Sequence, residues 1–131
     1  MKHTIIAALL GLIIVAGPGQ ARAGEGTLSG VVSGQGTLDK DLIRRIVAAH
    51  INEIRYCYNQ ALASDPEAKG RVVLDFTIGE SGSVIHSVVG SSDMADAKAP
   101  ECMAAAALRW IFPKPDGGVV VVSYPFVLEP G

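Results

Sequence analysis

Gly70-Arg71-Val72-Val73-Leu74-Asp75-Phe76-Thr77-Ile78-Gly79-Glu80-Ser81-Gly82-Ser83-Val84 is the stretch that decides the fold. Val72, Leu74, Phe76 and Ile78 alternate with Arg71, Val73, Asp75 and Thr77, which predicts a strand with one apolar face and one mixed face. Gly79 to Gly82 supplies the turn residues of a tight hairpin, and Ser83 to Val89 reads as the returning strand. Alternation is less regular on the return, and a bulge near His86-Ser87 accounts for that. A sheet with one apolar face needs a second layer, and the flanking segments supply it.

Upstream, Ile43, Val47, His50, Ile54, Cys57 and Ala61 recur at alternating spacings of four and three, so they share one face of a helix. Ile46, Ile51, Tyr58 and Leu62 widen that stripe, and Arg44, Arg45, Asn52, Arg55 and Asn59 lie mainly off it. Thr37 or Asp39 caps the start, and Ser64-Asp65-Pro66 ends it. Downstream, Pro100 fits a first helical turn, and a second helix is predicted to run to about Trp110. Cys102, Met103, Ala106, Ala107 and Trp110 share its face, and Ala104 to Ala107 favour close packing on a sheet. Phe112-Pro113-Lys114-Pro115 stops this helix, Asp116-Gly117-Gly118 turns the chain, and Val119 to Leu128 is a strongly β-prone strand. Pro125 inside it removes a ladder donor, so that portion is expected at an edge or a bulge. The predicted architecture is α+β: two helices on one face of a small three-stranded antiparallel sheet, in the order helix, hairpin, helix, strand. Residues 37–129 form the single domain. Residues 24–36 read as a flexible glycine-rich lead-in, although Leu28, Val31 and Val32 are suited to a brief strand.

The first 23 residues read as a cleavable export signal. Met1-Lys2-His3 is a short basic start, Thr4 to Ala16 is almost wholly apolar, and Ala21-Arg22-Ala23 is a small-x-small site with cleavage after Ala23. The apolar run is shorter than the roughly 20 residues of a membrane span, which is the rival reading. Cleavage leaves 108 residues, with nine basic against 13 acidic side chains and a net charge of −4 with the histidines neutral. That balance does not suggest nucleic acid or an anionic membrane as partner. The expected location is the periplasm.

Cys57 and Cys102 are the only cysteines. In an oxidising compartment the pair reads as a disulfide between the two helices, worth about 4 kcal/mol in the chain-entropy treatment. The competing readings are a redox-active pair or metal ligands. No Cys-x-x-Cys spacing favours the first. The second would enlist His50 and His86, but His50 and Cys57 sit about 10 Å apart along the helix axis. No metal or cofactor is therefore expected. His50 reads as a core histidine, with pH sensing as its alternative. Asp75 and Glu80 read as solvated carboxylates, and Ser81-Gly82-Ser83 as turn chemistry without a nucleophile elbow. Trp110 is the expected core anchor, and Arg109 supports either an interface or a surface ion pair.

The run from Gly70 to Ile78, then Gly82-Ser83-Val84, then Ala107-Leu108-Arg109-Trp110-Ile111-Phe112-Pro113 and the valine-rich strand into Tyr124-Pro125-Phe126 resembles the C-terminal domain of TonB-type energy transducers. A fuller resemblance, from about Gly36 to Leu128, is to the variant of that domain in gliding-motility proteins of the AgmX/PglI type. There a helix like Asp39 to Tyr58 precedes the hairpin, and a second cysteine like Cys102 opens the later helix. The resemblance implies a domain that binds other envelope proteins and has no catalytic centre. TonB-type transducers carry an inner-membrane anchor and a long linker, whereas here the domain follows a cleavable signal almost directly. A periplasmic adaptor is the expectation that fits.

The expected binding element is the last strand, through Val119, Val121, Ser123, Tyr124 and Phe126. As an edge strand it offers unpaired backbone groups to an extended partner segment, and the family resemblance implies the same mode. The alternative is a buried strand with no such role. The expected partners are envelope proteins, with a homodimer through the same edge, or a subunit role in a motility or transport complex, as alternatives. Nucleic acid, a small-molecule substrate and enzymatic activity are not expected.

Overall fold

Strand β1 (Val31–Ser33) opens the computed structural model, which describes residues 31–130. The export signal, the cleavage point after Ala23 and the lead-in as far as residue 30 lie outside the described residues. There follow α1 (Lys40–Ala49), α2 (Ile51–Ser64), β2 (Gly70–Ile78), β3 (Val84–Ser92), α3 (Lys98–Ala107) and β4 (Val120–Leu128). The sheet has the order β1-β4-β2-β3, with every neighbouring pair antiparallel. The α+β class and the antiparallel sheet stand as expected. The count does not: there are four strands and three helices among the described residues.

The third helix arises because the long upstream helix breaks at His50. In an unbroken helix the His50 N–H would bond the Ile46 carbonyl. Instead His50 Nδ1 takes that carbonyl at 2.8 Å, and the His50 N–H moves on to Val47 O at 3.0 Å. Glu53 N–H then bonds His50 O, again three residues back, and α2 resumes. One tightened turn leaves the apolar stripe in phase, so Ile43, Val47, Ile54, Cys57, Tyr58 and Ala61 are all buried. Asp39 caps α1 by accepting from the Asp41 N–H at 2.8 Å.

The fourth strand comes from the expected lead-in. Val31, Val32 and Ser33 pair with Ser123, Val122 and Val121. Glycine makes the approach possible where β1 leaves β4. A Cβ on Gly34, where φ is +101°, would lie 2.6 Å from the Val119 carbonyl oxygen, and one on Gly36 would collide with that of Gly118.

The hairpin packs as its alternation predicts. Val72, Leu74, Phe76 and Ile78 have no exposed surface, and they stand opposite Phe126, Tyr124, Val122 and Val120 of β4. Burying each such side chain contributes on the order of 1.5–3 kcal/mol. The irregularity in β3 resolves into two register shifts, with Ile85 and Gly90 as the extra residues, rather than one bulge at His86-Ser87. Gly90 fits because the Asp75 carboxylate occupies the place of its missing Cβ. On the helix side, α3 lies against β3 on its buried alanines, and the Ser87 hydroxyl donates to Ala104 O at 2.8 Å. Past Ala107 the chain tightens into three successive i−3 bonds that end at Trp110. Among the described residues, no helix is long and apolar enough to cross a membrane.

Candidate functional site: the outer side of the last strand

β4 is not the edge strand that the sequence reading expects. All nine of its residues pair with β2, and Val121 to Ser123 pair with β1 on the other side. The physical reason is the valine pair of β1, which takes the edge in cis.

Which groups point where follows from parity. In an antiparallel ladder, the N–H and C=O of one residue face one neighbour and those of the next residue face the other. Gly36 N–H donates to Val119 O at 2.8 Å, so Val119 faces the β1 side. The register with β2 runs unbroken from Ile78 opposite Val120 to Gly70 opposite Leu128, so the alternation holds throughout. Val121, Ser123, Pro125 and Val127 therefore present their backbone groups to the β1 side. Val122, Tyr124, Phe126 and Leu128 present theirs to β2.

This separates the five positions that the sequence assigns to partner binding. Val119, Val121 and Ser123 do have backbone groups on the outer side, and in this structure the segment from β1 to Gly36 meets them. Tyr124 and Phe126 do not: their backbones serve β2, and their side chains are 7 % and 0 % exposed. Pro125 is accounted for at the same time. Its missing donor falls on the outer side, so it takes no bond from the ladder with β2. Beyond Ser123 the Pro125 carbonyl and both groups of Val127 face the outer side, with no pairing to β1 among the described residues.

The surroundings of this edge are chemically uneven. On the helix side the Tyr124 phenol is pushed far above its ordinary pKa by burial, with Arg44 of α1 acting weakly the other way. On the opposite face the Ser123 hydroxyl donates to Asp75 Oδ1 at 2.6 Å, so Asp75 is a bonded sheet residue and not a freely solvated carboxylate.

The other candidates fall into structural roles. Cys57 and Cys102 form a disulfide joining α2 to α3, with 5.6 Å between their α-carbons. Both sulfurs are thereby removed from metal binding and thiol chemistry. A groove of about 430 Å³ lies over this bridge, lined by Asn52, Glu53, Tyr56, Ala105 and Arg109. His50 is half-buried and stacks on Trp110 with ring centroids 5.1 Å apart. Trp110 has no exposed surface and meets Phe76 edge-on at 5.9 Å. Arg109 approaches Glu53 at 3.8 Å, an exposed ion pair worth little. Glu80 is exposed at the hairpin tip, and His86 is exposed on β3. No group of three metal-ligating side chains occurs among the described residues.

Sequence reasoning missed that β1 and β4 meet. The available signal was Val31-Val32 followed by glycines at positions 34 and 36, a short strand whose exit demands close backbone approach. Comparison of the chain with family models, with curated proteins and with solved structures returns no match.

Proposed function

We propose that the protein is a non-enzymatic binding module of the cell envelope, working in the periplasm, that docks an extended segment of another envelope protein on the outer side of β4. The observation that carries this reading is β1 itself: a three-residue strand seated antiparallel on Val121 to Ser123. An edge that accepts a short strand in cis has the geometry to accept one in trans. The disulfide between α2 and α3 fits an oxidising compartment. The resemblance to TonB C-terminal and AgmX/PglI domains supports the same mode of binding.

Crosslinking in the native envelope, followed by capture through a tag, tests the reading with wild type and Val121→Pro. The Val121 N–H faces away from β2, so proline there removes an outer-edge donor and spares the central ladder. Partners recovered with wild type should be lost with the variant. Equal recovery from a variant with an unchanged circular dichroism spectrum counts against strand addition.

β3 favours a second reading, self-association. Its nine residues carry no Lys, Arg, Asp or Glu, and Ile85 and Val88 are 62 % and 43 % exposed. Sedimentation at high concentration tests this, because a stable monomer removes it.

A further inference from the structure

We infer that β1 is a built-in competitor for the partner strand, and that the partner is an extended segment with an apolar residue followed by glycines two and four positions later. This rests on the strand-addition reading above.

The seat of β1 is lightly held. Among the described residues it makes three residue pairs with β4, against nine between β2 and β4. Val32 is only partly buried against the core and Ser33 is exposed.

Release of the strand together with both glycines runs back as far as the start of α1. Thr37 and Asp116 exchange two backbone bonds, Thr37 N–H to Asp116 O at 2.8 Å and Asp116 N–H to Thr37 O at 3.0 Å. These two bonds open when the segment leaves, and α1 begins undisturbed at Lys40 with Asp39 as its cap.

The seat also specifies its occupant. The position opposite Val122 faces the helix layer and wants an apolar residue, as Val32 provides. The positions of Gly34 and Gly36 leave no room for a Cβ beside the carbonyls of Val119 and Gly118. A replacement strand must therefore repeat the order apolar, x, Gly, x, Gly.

The test measures fluorescence anisotropy of a labelled peptide copying residues 30–38, using the purified protein in three forms. These are wild type, a released form (Val32→Asp, or Ser33→Pro as an independent second variant) and a locked form. The lock is an oxidised Ser33→Cys/Val121→Cys pair, two positions directly opposite in the register. A control peptide carries alanine at both glycine positions. The apparent affinity scales with the fraction of protein whose edge is vacant, so the released forms should bind at least about tenfold more tightly than wild type. The locked form should not bind, and the alanine peptide should bind at least about tenfold more weakly to the released form. Equal affinity for all three forms overturns the inference, as does absence of binding to released protein that keeps its disulfide and its spectrum. A released form that dimerises and excludes the peptide overturns it too, since a second copy would then be the occupant. If the competitor role fails while envelope capture still depends on Val121, strand addition survives. If capture ignores Val121→Pro, the underlying reading falls as well.

Discussion

Trp110 Nε1–H donates to Glu53 Oε1 at 3.0 Å, tying the end of the α3 segment to the first turn of α2 across 57 residues of sequence. The indole has no exposed surface, so Glu53 is the acceptor for its one polar atom.

Truncating Glu53 leaves a buried donor without its partner, which costs about 1–3 kcal/mol. Glu53→Ala should lower the melting temperature by several degrees in a domain of this size, since about 1 kcal/mol corresponds to roughly 4–8 °C. Glu53→Gln keeps an acceptor and should lose less than half as much. Thermal unfolding followed by Trp110 fluorescence measures both, and equal losses would show that charge, not acceptance, holds the contact.

The disulfide closes a loop between residues 45 apart in sequence. Its removal in Cys57→Ala/Cys102→Ala should cost about 2–5 kcal/mol. Urea unfolding should show a lower midpoint. Non-reducing mass spectrometry of wild type should recover both cysteines in one linked peptide.

Alkaline pH should unfold the domain through its buried phenols. Burial raises the pKa of Tyr124 far above its ordinary value of 10.0, and it raises that of Tyr58 as well, with Glu129 adding to the effect. A raised folded-state pKa means the folded form keeps a proton that the unfolded form releases. The contribution is therefore complete below about pH 10 and declines as pH rises further, by at most about 1.4 kcal/mol per pH unit for Tyr124. Denaturant titrations between pH 9 and 12 should show the decline for wild type, with a shallower slope for Tyr124→Phe. A slope unchanged by Tyr124→Phe would mean that this phenol ionises in the folded domain as it does in the unfolded one.

Gly82 closes the hairpin with φ at +98°, and a Cβ there would strike the Phe112 carbonyl oxygen. That same turn accepts the Phe112 N–H through Gly82 O at 2.9 Å. Gly82→Ala combines left-handed strain with a backbone collision and should cost more than the roughly 1–2 kcal/mol of strain alone. Gly117→Ala also has a positive φ, at +85°, but its nearest neighbour is 3.6 Å away, so it should cost only the strain. Paired equilibrium unfolding curves separate the two.

The hairpin and both helix stripes were legible because burial leaves a periodic trace. Val72 to Ile78 alternate, and Ile43 to Ala61 keep a helical spacing even across the break at His50. That break left no such trace, since it preserves the phase and depends on a ring nitrogen taking a backbone carbonyl. The rank of β4 in the sheet was hidden for a different reason. Pro125 is a local signal of an open side, and it is correct about the residue: its outer side lacks a donor. It says nothing of Val121 to Ser123, where the neighbour is a strand about 90 residues earlier in the chain. Of the five positions expected to bind a partner, Val119, Val121 and Ser123 do turn their backbone groups to the outer side of β4. Tyr124 and Phe126 were misassigned because the direction of a backbone group depends on register, which composition does not reveal.

The position of β4 between β1 and β2 also has a consequence in time. Of the described elements, the strand that completes the sheet comes last in chain order, so Val72, Leu74, Phe76 and Ile78 lack their cross-strand neighbours until Val120 to Phe126 exist. A nascent chain that stops before Val120 holds helices and a hairpin with one apolar face uncovered on its β4 side, a state that invites association with other chains. Closure then joins the two ends of the domain in one event, and such long-range pairing makes folding slow relative to a helical bundle of equal size. No fragment ending short of β4 should therefore be stable.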